Sequence, residues 1–171
     1  MATRFLQIVG WSGTGKTRLV TALGQLLPVA VYLKWTHHAL PAEREQSDTG
    51  RMSSLARLTA LLAPEGGLVR GPLHWRHWYL AAAAWAPPDG LCLIEGGKRL
   101  PVAKVAVGEA SEVSGWPGVR AVIGPSPPPE GMAWCAAPLP LDGQAAEAAA
   151  RWILEHLEVV SFTLEALTGL P

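Results

Sequence analysis

The chain has 171 residues, 49% hydrophobic and 16% charged, with fourteen basic side chains against fourteen acidic ones. That length suits one domain with one hydrophobic core, the apolar content excludes a disordered chain, and zero net charge removes the electrostatic footprint of a general nucleic-acid binder. The longest apolar run, residues 79–86, falls far short of the ~20 residues of a membrane-spanning helix. Two cysteines, Cys92 and Cys135, cannot build a disulfide framework or a four-thiolate metal site. Only Arg4 precedes the first apolar run, which breaks at Gly10, so no leader pattern is present. The expectation is a cytoplasmic protein with a single domain over 1–171.

In chain order, an apolar run at 5–9 leads into a glycine-rich loop. A helix is expected over 16–27, with Leu19, Val20, Leu23, Leu26 and Leu27 at helical spacing. A second run at 29–33 follows. Residues 51–63 have helical composition, but Pro64-Glu65-Gly66-Gly67 is a turn sequence. The reading is a short helix to about Ala56, then a hairpin of 58–62 with 68–70. Pro72 suits the first turn of a helix over 72–86. Three further apolar runs lie at 91–94, 103–107 and 119–123, separated by Gly/Pro clusters such as Pro87-Pro88-Asp89-Gly90. A helix over 144–157 sets Ala148, Trp152, Ile153 and Leu157 on one stripe. The apolar tail, 159–171, must dock on its own domain or on another subunit.

The runs are short and unalternating, as in parallel strands covered by helices on both faces. Strand and helix alternate along the chain. The fold class expected is α/β: a P-loop NTPase-like three-layer α/β/α arrangement around a mostly parallel sheet, with a β-hairpin extension.

One motif dominates. Gly10-Trp11-Ser12-Gly13-Thr14-Gly15-Lys16-Thr17 fits G-x-x-x-x-G-K-[ST], with a strand before it and a helix after it. Glycines let the backbone N–H groups turn inward onto phosphate oxygens, and the helix N-terminus adds its positive end. Lys16 would reach the β- and γ-phosphates, and the Thr17 hydroxyl would take one Mg²⁺ position. Gly10, Ser12, Gly13, Thr14 and Gly15 complete the cradle.

Ligands of a parallel sheet sit at the carboxyl ends of its strands. The run at 29–33 exits into Lys34-Trp35-Thr36-His37-His38, and the run at 91–94 exits into Glu95-Gly96-Gly97-Lys98. Glu95 occupies the place of a carboxylate that holds Mg²⁺ through water; the plain alternative is a strand-end glutamate paired to Lys98 or Arg99. Asp48 is either a second carboxylate for the ion or a helix N-cap. His37 and His38 point in opposite directions in an extended loop, so one contacts substrate or phosphate while the other packs. His74 and His77 share a helix face with nearby Trp75 and Trp78, an amphipathic surface or partner face rather than a metal site. Trp11 stands inside the loop, where it shields phosphate or touches a partner, and the other tryptophans read as core or interface residues.

The combination of the phosphate loop, Lys34-Trp-Thr-His-His38, Ser47-Asp48-Thr49 and Ile94-Glu-Gly-Gly-Lys98 resembles the MobB family of molybdopterin-guanine dinucleotide biosynthesis adapter proteins. The similarity runs from Phe5 to about Val107. The resemblance implies a P-loop fold, GTP and Mg²⁺ binding, slow GTP hydrolysis and a homodimer. It also implies partnership with the molybdenum cofactor guanylyltransferase, with molybdopterin itself as a candidate ligand. Carried over by position, Gly13, Gly15, Lys16 and Thr17 bind phosphates, and Asp48 and Glu95 lie at the metal.

The chain departs from the family after residues 119–123, where relatives often carry an Asp for the base and this chain has Gly124-Pro125-Ser126. It contains no asparagine and no Thr-Lys pair, so the [NT]-K-x-D guanine motif is absent. Backbone groups of 124–126 are the expected readers of the base. Two other functions fit the phosphate loop: a small metabolite kinase drawing on Arg51, Arg57, Arg70 and Arg76, and a metal-chaperone GTPase using His37 and His38.

Overall fold

The computed structural model describes residues 2–35, 74–168 and 170, and the backbone of 59–63 and 66–70. His37, His38, Asp48, the short helix ending near Ala56 and the proline start at Pro72 lie outside the described residues. The chain divides into two compact units, 1–35 with 79–171, and 36–78.

The larger unit is built on a seven-stranded, mostly parallel sheet. Its strands are β1 (Arg4–Gly10), β2 (Val29–Lys34), β5 (Leu91–Glu95), β6 (Lys104–Val107), β7 (Val119–Gly124), β8 (Ala133–Ala136) and β9 (Phe162–Thr163). They follow the order β2-β5-β1-β6-β7-β8, with β9 antiparallel to the start of β1. Its helices are α1 (Lys16–Leu26), most of α2 (Trp75–Trp85), α3 (Ala110–Val113), α4 (Gly143–Glu155) and α5 (Leu157–Val160). The smaller unit contains an antiparallel hairpin, β3 (Thr59–Ala63) with β4 (Gly66–Arg70).

Three layers follow from side-chain alternation along the buried strands. Leu6 and Ile8 of β1 face one way and join Leu19, Val20 and Leu23 of α1 with Ala146, Ala149, Ala150 and Ile153 of α4 in one core. Val9 faces the other way, with Ala106, Val122 and the α3 residues Ala110 and Val113. On that same face Phe5 stacks with Phe162 at 5.4 Å and meets Tyr79 of α2 at 5.4 Å. β5 and β6 are buried at every position, on both faces, so their apolar residues are consecutive rather than alternating.

Several expectations are corrected in detail. β2 does alternate, with Ala30, Tyr32 and Lys34 exposed, because it ends the strand path and is not covered on both sides by described residues. The stripe of α4 is turned by one or two residues from the expected one: Ala148 is exposed, Ala146, Ala149, Ala150 and Ile153 are buried, and Trp152 and Leu157 pack at its margin. The hairpin is tighter than expected, since Gly66 and Gly67 join the second strand and pair with Ala63 and Leu62. None of the eight tryptophans is in the core. Their width keeps them at margins, where Trp134 Nε1 donates to the Gly124 carbonyl at 3.1 Å.

The tail returns to the larger unit, where Val160, Phe162 and Leu167 are buried and Val159 is exposed. Strand β9 is two residues long, too short to leave a periodic signal. Among the described residues no helix is long and apolar enough to cross a membrane.

Candidate functional site

The glycine-rich loop leaves β1 at Gly10 and closes onto the N-terminus of α1. Gly15 caps that helix at φ 91°, a left-handed conformation that side chains rarely adopt. A Cβ there would also stand 2.7 Å from Leu141 Cβ and 2.8 Å from the Leu141 nitrogen. Leu141 N donates to the Thr14 carbonyl at 3.1 Å, and Arg18 Nη1 donates to the Leu141 carbonyl at 2.9 Å, so the loop is stitched to the segment leading into α4. Helix α1 has no acidic residue in its first turn and no side-chain cap, which leaves its positive end available to an anion. Inside the loop, Thr14 Oγ1 and Lys16 Nζ both donate to the Trp11 carbonyl, at 3.0 and 2.5 Å.

Strand register brings the acidic partner to the same place. Lys34 of β2 pairs with Glu95 of β5, which pairs with Ile8 of β1, two residues before the loop. The Glu95 side chain is buried, and its two oxygens are used differently. Oε1 accepts from Thr17 Oγ1 at 3.3 Å and meets Lys34 Nζ at 3.3 Å, while Oε2 accepts from the Tyr32 hydroxyl at 2.9 Å. Among the described residues its ion-pair partner is therefore Lys34, not Lys98 or Arg99. Burial, the Glu95 hydrogen bond and the Glu95 charge push the Tyr32 phenol up to about 12. Burial lowers the Lys16 ammonium; Glu95 opposes this, and the charges of Lys34 and Lys98 reinforce it. Three lysines and one carboxylate thus share a field around the loop.

The segment after Glu95 is held from beneath. Gln7, buried in β1, donates from Nε2 to the carbonyls of Gly96 at 2.7 Å and Gly97 at 3.2 Å, and its Oε1 accepts from the Tyr79 hydroxyl at 2.6 Å. Gly97 has φ 74°, and a Cβ on it would lie 2.8 Å from Gln7 Nε2. Lys104, 0% exposed at the start of β6, donates to the carbonyls of Gly97 at 3.4 Å, Lys98 at 3.2 Å and Leu100. Burial lowers its ammonium to about 8. Above this clamp, Lys98 Nζ lies 3.5 Å from the Trp11 ring centre and 5.4 Å from that of Trp116, the two rings meeting edge to face.

Gln7 and Lys104 escaped the sequence reading because each sits inside an apolar run. The available signal was the interruption itself: one amide in Phe-Leu-Gln-Ile-Val and one amine in Ala-Lys-Val-Ala-Val. A buried amide or ammonium has to satisfy partners, and both of these reach the same loop.

At the other end of the sheet, the Gly124 carbonyl already accepts from Trp134 Nε1 and from Ala137 N at 3.1 Å. Ser126 Oγ donates to Glu109 Oε2 at 2.8 Å, so a carboxylate from the end of β6 stands beside the loop that lacks its own. The rings of His74 and His77 lie 6.3 Å apart. Among the described residues no group of three or more His, Cys, Asp or Glu side chains is placed to hold a metal.

This arrangement of sheet order, glycine loop and helix defines a P-loop NTPase-like α/β protein. No protein-family model matches the chain, and no curated protein matches it by sequence. Solved structures do match. The chain is similar to a MobB homologue from Bacillus stearothermophilus with 21% identity and a TM-score of 0.58, over 90% of this chain and 97% of that one. A structure described as molybdopterin-guanine biosynthesis protein B matches with 18% identity and a TM-score of 0.57, over 89% and 99%. Bacillus subtilis MobB matches with 20% identity and a TM-score of 0.55, over 88% and 95%. The chain has a MobB-like fold.

Proposed function

We propose that this chain is a Mg²⁺-GTP-binding accessory protein of molybdenum-cofactor maturation, assisting the guanylyltransferase that attaches GMP to molybdopterin. The observation that carries the reading is the convergence of Thr17 and Glu95 at the mouth of the phosphate loop, on a fold shared with MobB structures over about nine-tenths of the chain. In this reading Gly10, Ser12, Gly13, Thr14 and Gly15 cradle phosphate oxygens, and Lys16 leaves the Trp11 carbonyl for the β- and γ-phosphates.

A hydroxyl and a carboxylate at one point are the hard oxygen donors that Mg²⁺ takes alongside phosphate and water. Thr17 and Glu95 would hold the ion, with Asp48 as the further carboxylate proposed. Bound there, Mg²⁺ would neutralise charge on the β- and γ-phosphates. The reading assigns His37 or His38 to the nucleotide or substrate, and it includes a homodimer, which light scattering at micromolar concentration tests directly: a monomer removes that part.

Hydrolysis is expected to be slow. Fast turnover needs a group that orients water and an arginine on the transferring phosphate. Among the described residues, the Glu95 carboxylate is engaged with Thr17, Lys34 and Tyr32. A partner that supplied an arginine would add about 10³–10⁵ in rate.

The test is reconstitution. Conversion of molybdopterin to its guanine dinucleotide by the guanylyltransferase should rise on addition of this protein, and Lys16→Ala should abolish the rise. An unchanged conversion, or brisk GTP hydrolysis by the isolated protein, would overturn the proposal.

A further inference from the structure

We infer that Lys98 is a second ammonium for the terminal phosphate of a bound nucleoside triphosphate, set in place over Trp11 by the buried side chains of Gln7 and Lys104. The inference rests on the phosphate-loop reading above and names a specificity it does not contain: discrimination between triphosphate and diphosphate.

Position comes first. Trp11 carries both amines, Lys16 Nζ on its carbonyl at 2.5 Å and Lys98 Nζ over its ring at 3.5 Å. Lys98 is close enough to Lys16 to depress its protonation, alongside Lys34. Thr17 and Glu95 mark the β,γ side of the site in this reading, since they are the residues that would hold the Mg²⁺ accompanying those phosphates. The segment 96–100 begins at the residue after Glu95 and so flanks the γ-phosphate rather than the α-phosphate or the sugar.

The support beneath Lys98 explains two buried polar groups that have no other role in the site. A fully buried ammonium is costly unless its donors are paired. Lys104 spends its donors on the carbonyls of Gly97, Lys98 and Leu100, and Gln7 covers those of Gly96 and Gly97. Four carbonyls of the segment, those of 96, 97, 98 and 100, are thereby held, which ties the Lys98 backbone to the loop mouth. Gln7 and Lys104 are positioning residues in this scheme, and Lys98 is the contact.

The electrostatics agree with a site waiting for an anion. A lysine on a tryptophan face is weakly held, on the order of the exposed cation–π pairs that a phosphate readily outcompetes. Lys98 would exchange the Trp11 ring for a phosphate oxygen as a point-charge donor. Because that contact forms with bound triphosphate before any reaction, it adds affinity without speeding hydrolysis.

The experiment is calorimetric titration of GTP and GDP, with ATP and ADP in parallel, each with Mg²⁺, into wild type, Lys98→Ala, Lys104→Met and Lys16→Ala. The expected result is a triphosphate affinity about tenfold or more weaker in Lys98→Ala with diphosphate affinity nearly unchanged. Lys104→Met should show the same selective loss to a lesser degree, in protein whose circular dichroism remains native. If Lys104→Met fails to fold, Lys98→Ala alone decides. Lys98→Ala with an unchanged triphosphate-to-diphosphate ratio overturns this inference while leaving the phosphate loop intact. Wild type without affinity for any nucleotide overturns the phosphate-loop reading, and the inference with it.

Discussion

The loop after β1 and the segment after β5 meet over the same site, yet their geometry comes from different sources. The first largely carries its own instructions: Gly15 turns left-handed into α1, Thr14 and Lys16 bond back to Trp11, and the backbone of Leu141 bonds to the loop from outside. The second is shaped from below by side chains of two other strands, Gln7 of β1 and Lys104 of β6. A self-contained loop breaks only when its own residues change. A supported one breaks at a distance, through residues that never face the ligand.

The largest expected effect is on the self-contained loop. Gly15→Ala forces a Cβ into left-handed backbone and against Leu141, costing about 2–5 kcal/mol of stability by strain and overpacking together. Thermal unfolding should show a lowered midpoint, and nucleotide binding should be lost. Gly15→Ala with wild-type stability would mean that the loop relaxes freely and is not self-determined.

Next is the support. Gln7→Leu removes the buried hydrogen bond from the Tyr79 hydroxyl to Gln7 Oε1 and the side-chain donor of the Gly96 carbonyl, while the Gly97 carbonyl keeps Leu100 N and Lys104 Nζ. At about 1–3 kcal/mol for a buried polar group left unmade, a loss of about 2–4 kcal/mol is expected in chemical denaturation. A loss no larger than that of an exposed substitution would sever the link between β1 and the second loop.

The clamp also has a pH signature. Lys104 binds its proton less tightly folded, near 8, than at its ordinary value of 10.5. Above pH 8 the unfolded chain therefore holds the extra proton, and stability rises with pH from this group. The Cys92 thiol acts in the opposite sense, because burial pushes it up to about 11 from 9.0 and the folded chain then holds the extra proton above pH 9. Denaturation of wild type minus Lys104→Met should isolate a rise beginning near pH 8. A flat difference between pH 7 and 9 would show that the ammonium is not paying for burial.

The smallest effect lies at the solvent edge. Lys34, half-exposed, meets Glu95 at 3.3 Å, and Lys34→Ala should cost under about 1 kcal/mol. A larger loss in urea melts would place Lys34 with the support rather than with the surface.

The same contrast explains what the sequence made legible. The strands of the sheet, the hairpin and the glycine loop were readable because apolar runs, turn residues and G-x-x-x-x-G-K-[ST] are local patterns. Glu95 was readable as the residue that ends an apolar run. Its partners were not: Tyr32 and Lys34 reach it only through parallel pairing of β2 with β5, which places Lys34 beside it from sixty-one positions away in the chain. Gln7 and Lys104 were hidden because a polar residue in a buried run looks like an imperfection until the carbonyls it serves are known. Strand β8 was missed between proline clusters, and β9 was too short to show a period.

Whether nucleotide is held by the phosphate loop is tested most directly by equilibrium dialysis of labelled GTP, with Mg²⁺, against wild type and Lys16→Ala. Lys16 is a half-buried point charge whose amine bonds only the Trp11 carbonyl among the described hydrogen bonds, so its removal should leave the fold intact. The account predicts saturable binding to wild type and none at the same concentrations to folded Lys16→Ala. Equal binding by the two proteins, or none by either, would contradict it.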